Sequence, residues 1–225
     1  MVTLSCAELS TRAINRALAE LPDGSRVSIT EPQGRHNLAV GLRNQITITI
    51  AGNAGYFIGG LGDGPSIVVD GFVGWSVGEN LMSGTVRVRG NASESAGASS
   101  HGGLVIVDGD ASSRAGISLK GGTLVVAGDA GHMSGFMAQA GTILIGGDAG
   151  AGLGDSLYEA VIYVGGAIRS LGADARVEEL TEGDVQRVRQ LIQQTGFDHI
   201  DPQNVKRVAS ARALYHFKAV AGHAY

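Results

Sequence analysis

Three aspartates recur at one spacing and are the first residues of the chain that could do chemistry together. Asp110, Asp129 and Asp148 recur with a period of nineteen, and each directly follows a glycine. Glycine–aspartate repeats line calcium sites in some repetitive β-folds, so one interpretation is a cation site. The nonapeptide spacing of those sites is absent, however, and Asp side chains commonly accept hydrogen bonds from the backbone of their own turn. We therefore expect Asx-turns here and predict no metal ligands.

Other candidate nucleophiles, bases and ligands do not form a catalytic pattern. The six histidines show neither the HExxH motif nor a paired metal-ligand spacing. The single cysteine, Cys6, has no nucleophile signature around it and is interpreted as a small packing residue. Ser100 precedes His101, but adjacent side chains of an extended chain point apart. Residues 147–154 contain Gly-x-Gly without the rest of a P-loop or a Rossmann unit. The sequence thus predicts no catalytic or cofactor-binding residue in this chain.

A 19-residue repeat organises the middle of the chain. Glycine ends a short β-branched run seven times with this period, and a second glycine follows seven positions later in six of those units. Because glycine is favoured where φ is positive or where backbones approach closely, both positions are expected to be corners of a repeating structure. The structural glycines predicted in this way are Gly52, Gly59, Gly71, Gly78, Gly90, Gly97, Gly109, Gly116, Gly128, Gly135, Gly147, Gly154 and Gly166.

Apolar residues keep the same register. They stand four and two positions before the first glycine of each unit, as Ile48 and Ile50 do, and this alternation is typical of a strand with one buried face. A 19-residue unit is too short for a strand, a helix and a return, but it suits one coil of a solenoid. We predict an all-β, right-handed parallel β-helix of about seven 19-residue coils with short N- and C-terminal helices. The alternative is a β-sandwich, whose turns and strands normally vary in length.

The segments that flank the repeat predict the two helices. Residues 7–21 place apolar residues at helical spacing, and a second helix is expected over residues 182–194, with Thr181 as N-cap and Gly196 at its end. Both helices are expected to cover exposed strand edges.

The limits of the repeat also predict a domain organisation. Val27 and Ile29 stand one period before Ile46 and Ile48, which predicts an imperfect leading coil. Residues 1–30 form an N-terminal cap in this scheme. Residues 31–172 form the β-helix, and residues 173–225 form a C-terminal helix and a partner-docking tail.

Composition narrows the functional classes. The 225 residues carry a formal net charge of −4, which argues against a polyanion-binding surface. The apolar runs are far shorter than the roughly 18 residues of a membrane-spanning helix, and no secretion signal is recognisable. We expect a cytoplasmic protein without a nucleic-acid or membrane partner.

The glycine files and several further stretches resemble a known family, the GXGXG β-helix domains that form the C-terminal part of the large subunit of glutamate synthase. Within that family the chain is similar to the stand-alone glutamate-synthase-like proteins, which are also described as the B subunit of N-methylglutamate synthase. The stretches that carry the resemblance are PQGRHNLA (32–39), ENLMSGTV (79–86), SSRAGIS (112–118), GHMSGFM (131–137), GLGDSLYEA (152–160) and SARALYHF (210–217).

The resemblance implies a role in a multi-subunit enzyme. In the N-methylglutamate version, methylamine and L-glutamate give N-methyl-L-glutamate and ammonia. A glutamine-amidotransferase-like subunit and a subunit with FMN and an iron–sulfur cluster would perform the chemistry, and this chain would be their non-catalytic scaffold. One alternative is the corresponding GXGXG subunit of a formylmethanofuran dehydrogenase or formyltransferase/hydrolase complex. Another is an independent module that binds a cation or carbohydrate.

The resemblance and the polar segments between coils also suggest where partners bind. The residues expected to contact them are Arg114, Lys120, His132, Met133, Asp155, Tyr158, Glu159, Arg212, Tyr215 and Phe217.

Overall fold

A computed structural model describes residues 1–212 of the chain. Within them, eleven strands form one sheet in the order β1-β2-β3-β4-β5-β6-β7-β8-β9-β11-β10. The strands are β1 (Val2–Ser5), β2 (Arg26–Thr30), β3 (Thr47–Ile50), β4 (Asp63–Val69), β5 (Ser83–Val88), β6 (Leu104–Val107), β7 (Lys120–Val126), β8 (Ala140–Ile145), β9 (Val161–Val164), β10 (Ala175–Glu178) and β11 (Lys206–Ser210), and the helices are α1 (Thr11–Ala19) and α2 (Glu182–Thr195). Neither helix has the length and apolar content needed to cross a bilayer.

The predicted parallel solenoid of about seven coils is confirmed. Strands β1 to β9 pair in parallel, and from β3 to β9 the paired residues are those that the period makes equivalent, as Ile48, Ile67 and Val86 are, except at the irregular starts of β4 and β7. These inward residues are buried. A second ladder of single bridges joins the residues two positions after the first glycine, such as Ala92 and Ala111. Each coil is therefore hydrogen-bonded to its neighbours at the strand and again after the corner.

The leading coil differs in register from the prediction. Val27 faces Ile48 and Ile29 faces Ile50, so each partner lies two positions beyond the expected one. A shift of two positions keeps the same side chains on the buried face, because the strand period is two. For that reason, alternation alone did not distinguish the two registers. Residues 1–30 also supply β1, so the sheet extends to Val2.

Both predicted reasons for the repeated glycines operate: close approach applies in the first file from Gly71 onward, and positive φ applies throughout the second, whereas Gly52 of the first file has a φ of +131° and its nearest atom at 3.4 Å. In the first file, a Cβ on Gly147 would lie 2.1 Å from Oδ1 of Asp129 and 2.9 Å from the carbonyl carbon of Gly128. In the second file the backbone is left-handed, with φ between +66° and +71° from Gly59 to Gly154. The first file thus depends on close approach between coils, and the second on a conformation that side chains disfavour.

Helix α1 packs against the core at the N-terminal end of the solenoid and is shorter than the predicted segment 7–21, and the outermost strand at that end is β1. Ser10 caps it by accepting a hydrogen bond from the Ala13 N–H, and Ile14 and Leu18 are buried in the core. The side chain of Asn15 bonds to the backbone of the first turn, donating to the Asn37 carbonyl at 2.7 Å and accepting from the Ala39 N–H at 2.8 Å. Polar backbone groups at this end of the stack therefore find partners on the helix.

The expectation that the second helix covers a strand edge is wrong. Its bounds are confirmed, with a capping box at Thr181 and left-handed Gly196 at its end. However, α2 packs on the outer face of the sheet, where its apolar residues meet the outward side chains of four successive strands, Ile106, Val125, Leu144 and Tyr163. The edge of β9 is instead occupied by β11, which pairs with it in antiparallel orientation, and β10 pairs outside β11. Burial of that outer apolar face explains the position of the helix.

Replacing Gly147 by Ala should destabilise the protein by about 1–3 kcal/mol, because the new methyl group overlaps backbone that cannot rotate away. The matched control is Gly183→Ala in the first turn of α2, where the nearest atom is 3.6 Å from the added carbon. The control should leave stability unchanged or raise it by up to about 1 kcal/mol. Urea unfolding followed by circular dichroism measures both, and equal losses would contradict a close coil contact at Gly147.

Candidate functional site

The predicted aspartates lie in one file along the solenoid, together with two asparagines, and Phe72 interrupts the file between the two asparagines. We call Asn53, Asn91, Asp110, Asp129 and Asp148 the Asx file. One side-chain oxygen of each accepts a hydrogen bond from the backbone N–H at the same position of the next coil. The donors and distances are Phe72 at 3.1 Å, Asp110 at 3.0 Å, Asp129 at 2.9 Å, Asp148 at 2.7 Å and Ala167 at 2.7 Å.

This arrangement corrects the predicted Asx-turns, since the bonds go to the following coil and not to the residue's own turn. The reason is steric as well as polar: the glycine that precedes the donor residue in the next coil has no Cβ, and the side-chain oxygen of the acceptor fills that space. In residues 1–212, no group of three His, Cys, Asp or Glu side chains is placed to hold a metal ion. The Asx file is therefore a ladder between coils, with one oxygen of each carboxylate already bonded to backbone.

The remaining candidates for chemistry are held apart. Ser100 is buried and donates from Oγ to the Gly78 carbonyl at 3.0 Å, whereas His101 is exposed. Cys6 is packed in the core as expected, and burial raises the pKa of its thiol. Residues 147–154 simply continue the two glycine files. The structure thus does not assemble a nucleophile with a base from these residues.

The predicted partner-contact residues do not form one surface. Arg114 and His132 are exposed on adjoining turns, where the Arg114 N–H donates to the His132 carbonyl at 2.8 Å, and Met133 follows on the same turn. Glu159 lies elsewhere, beside the start of β9, where Arg212 approaches it at 3.6 Å.

The others have separate positions. Lys120 begins β7 and is exposed, and Tyr158 lies just before β9 and is half-buried. Asp155 bonds within the fold, accepting from the Ser156 hydroxyl and from the Ala173 N–H, so it closes the last turn. Tyr215 and Phe217 lie outside the described residues.

A buried polar cluster that the sequence analysis missed fixes α2 to the solenoid. The Tyr163 hydroxyl donates to Oδ1 of Asp184 at 2.5 Å, and Arg207 of β11 donates to the same oxygen at 3.2 Å and also bonds to Glu178 of β10. Thr181 donates from its hydroxyl to Oδ2 of Asp184 at 2.6 Å. One carboxylate therefore ties together the helix N-terminus, the sheet and the antiparallel strand.

The environment of this cluster stabilises the charged form of Asp184. Burial on its own raises the pKa of the carboxyl, but hydrogen bonds from Thr181 and Tyr163 and the charge of Arg207 outweigh burial, and the pKa is lowered to about 2. The hydrogen bond between the two side chains shifts the pKa of Tyr163 in the opposite direction. Burial and the adjacent carboxylate of Asp184 both raise it. Two features of the sequence could have indicated this cluster. They are the tyrosine at an outward strand position and the aspartate at the capping-box position of α2.

The far end of α2 is held by Arg87, on the outer face of β5. Its guanidinium pairs with Asp108 at 2.9 Å, donates to the Thr195 carbonyl at 3.0 Å and lies 5.6 Å from the centre of the Phe197 ring. All three contacts of the Arg87 guanidinium are therefore with residues of its own chain. Arg87 and the Asp184 cluster thus fix the two ends of α2 to the solenoid.

Comparison with known proteins gives no identification, because no protein-family model and no curated protein matches the chain.

Replacing Asp129 by Ala should lower the free energy of unfolding by about 0.5–1.5 kcal/mol, because the Asp148 N–H loses its acceptor. Asp129→Asn keeps an acceptor oxygen and should be nearly neutral, as should Asp198→Ala at an exposed position. Thermal unfolding of the three variants with and without added calcium measures the effect. A calcium-dependent rise in the melting temperature of the parent that Asp129→Ala abolishes would contradict the ladder as the function of these carboxylates.

The lowered pKa of Asp184 predicts an acid-sensitive contribution to stability. Since the unfolded carboxyl titrates near 4 and the folded one near 2, the contribution is complete above about pH 4 and is lost as the pH falls through 2. Asp184→Asn should therefore cost on the order of 2 kcal/mol at pH 7 and much less at pH 2. Urea unfolding at both pH values, with Asp198→Asn as control, checks this, and a loss that does not depend on pH would contradict it.

Proposed function

We propose that this chain is the non-catalytic scaffold subunit of a multi-subunit glutamate-synthase-like enzyme, namely N-methylglutamate synthase. The enzyme converts methylamine and L-glutamate to N-methyl-L-glutamate and ammonia. In this proposal the complex is cytoplasmic. A glutamine-amidotransferase-like subunit and a subunit with FMN and an iron–sulfur cluster perform the chemistry, and the solenoid holds them in register. The proposal rests on the resemblance of the glycine files and of the stretches quoted above.

The single structural observation that supports a scaffold is the continuity of hydrogen bonding from coil to coil. Bonds run between neighbouring coils at the strands, at the Asx file and in the turns, where the Gly78 N–H donates to the Ile58 carbonyl at 2.9 Å and the Phe57 N–H donates to the Trp75 carbonyl at 2.7 Å. A body bonded in this way resists bending and twisting. Two partners bound to it keep a fixed separation, which favours transfer of a released amine between their sites.

The chain's own residues support placing the redox chemistry on a partner. An iron–sulfur cluster is held by several cysteine thiolates, whereas this chain has one cysteine, and that residue is packed in the core. We assign partner contacts to outward positions that the fold does not use. Arg114, His132 and Met133 form one such area.

Co-expression with the amidotransferase-like and the FMN/iron–sulfur subunits tests the proposal. We expect the three chains to elute together in size-exclusion chromatography with flavin absorbance. Formation of N-methylglutamate from methylamine and glutamate should require all three. Elution of this chain apart from both subunits, or full activity without it, would overturn the proposal.

A truncation tests the proposed contribution of the C-terminal tail. Because Val208 of β11 is completely buried, the chain must be cut after Arg212 and not before β11. The variant ending at Arg212 should fold, as judged by circular dichroism, and should lose most of its co-elution with the partners. Unchanged co-elution would exclude the tail as a docking element.

A further inference from the structure

A file of outward side chains runs along the first coils, with its first three members exposed and the last half-buried. It contains His36, Tyr56, Trp75 and Glu94, which occupy the same position of four successive coils, and we call it the His–Tyr–Trp–Glu file. Backbone bonds beside the file fix its register. The N–H of the residue after each member donates to the carbonyl of the next member. The bonds run from Asn37 to Tyr56 at 2.9 Å, from Phe57 to Trp75 at 2.7 Å and from Ser76 to Glu94 at 2.8 Å. Successive members are therefore spaced by about one inter-strand distance of 4.8 Å.

The aromatic members of this file present large apolar surfaces to solvent. Trp75, the only tryptophan of the chain, is 61% exposed, and Tyr56 is 46% exposed. The His36 ring stacks on Tyr56 with 3.7 Å between centroids. Tyr56, Phe57 and Trp75 line a shallow depression of about 340 Å³. Aromatic surface grouped in this way is typical of a binding site, since single exposed apolar residues are normally scattered.

Two further aromatic residues lie in the same coils, and one of them departs from the repeat. Phe72 stands in the position of the Asx file, where it has no side-chain oxygen to offer to the next coil, and it is 57% exposed. Phe57 places a large ring beside Trp75 at a position that the next two coils fill with Ser76 and Ser95, and the φ of all three lies between +60° and +62°, so this conformation belongs to the repeat. Neither the Phe57 ring nor the Phe72 ring is fully buried. Residues that contradict the local pattern without compensation are expected at functional sites.

Charge indicates what the file binds. Glu94 follows Trp75 by one coil, and among residues 1–212 its carboxylate forms no ion pair, although Arg114 follows in the next coil. A tryptophan face next to a free carboxylate suits a guanidinium group, which stacks on the ring and pairs with the acid at once. Arginine is also enriched among the residues that dominate protein interfaces.

We propose that the His–Tyr–Trp–Glu file, with Phe72 in the same coil as Trp75, is the surface on which a partner subunit docks by laying an arginine side chain over Trp75 and against Glu94. This inference rests on the proposed function, because the partner is one of the two catalytic subunits. It names a site on the first coils, and the Arg114 area assigned above lies beyond it, where the same file continues after Glu94.

The test measures the affinity of each purified partner subunit for variants of this chain by biolayer interferometry at two salt concentrations. Trp75→Ala should weaken binding of one partner at least about tenfold. Glu94→Gln should weaken it several-fold and reduce the salt dependence, because one ion pair is lost. Leu61→Ala is the matched control, since Leu61 is also exposed on an early coil but at another position. Circular dichroism and thermal unfolding confirm that each variant is folded.

Several outcomes would overturn the inference. Parental affinity in Trp75→Ala, or an equal loss in Leu61→Ala, would show that the file is not the docking surface. An unchanged salt dependence of binding in Glu94→Gln would show that no arginine of the partner pairs with Glu94. Self-association of the parent that Trp75→Ala abolishes would identify a second copy of this chain as the occupant. If the parent bound neither subunit, the proposed function itself would be wrong. If the parent bound a subunit and Trp75→Ala bound it equally well, only the docking surface would be wrong.

Discussion

Backbone hydrogen bonding between equivalent positions of adjacent coils is the constraint on which the whole structure depends. It requires each residue to lie within one strand spacing of its counterpart in the next repeat. That spacing leaves no room for a Cβ at Gly147 or Gly128, and it brings the oxygen of Asp110 within reach of the next coil. The glycine files and the Asx file are thus two consequences of one distance.

The same constraint divides the side chains into those the fold uses and those it leaves available. Inward positions fill the core, and the Asx file joins coils. The outward residues of β6 to β9 receive α2 through its apolar face and through the Asp184 cluster. What remains is a surface whose composition the fold does not dictate. The exposed aromatic rings of Tyr56 and Trp75 lie on that surface, which is why we look there for binding.

Much of this architecture could be predicted from sequence because the repeat is strict. Its constant period was enough to predict the length of a coil, which residues are buried and why glycine recurs at two positions. The direction in which a backbone N–H points has no sequence signature, so the Asx file was assigned to the wrong turn. The location of α2 was also missed, although Ile106, Val125 and Leu144 are apolar on the face opposite the core. Two apolar faces on one strand indicate cover on both sides.

The antiparallel orientation of β11 has a consequence for assembly. A stack of identical parallel coils ends in an edge that resembles every edge inside it, and such an edge can template another chain end to end. At the C-terminal end the edge of β9 is not left open, because β11 pairs with it in antiparallel orientation and β10 pairs outside β11. The opening strand β1 of another chain therefore cannot stack directly on β9 as a further coil would.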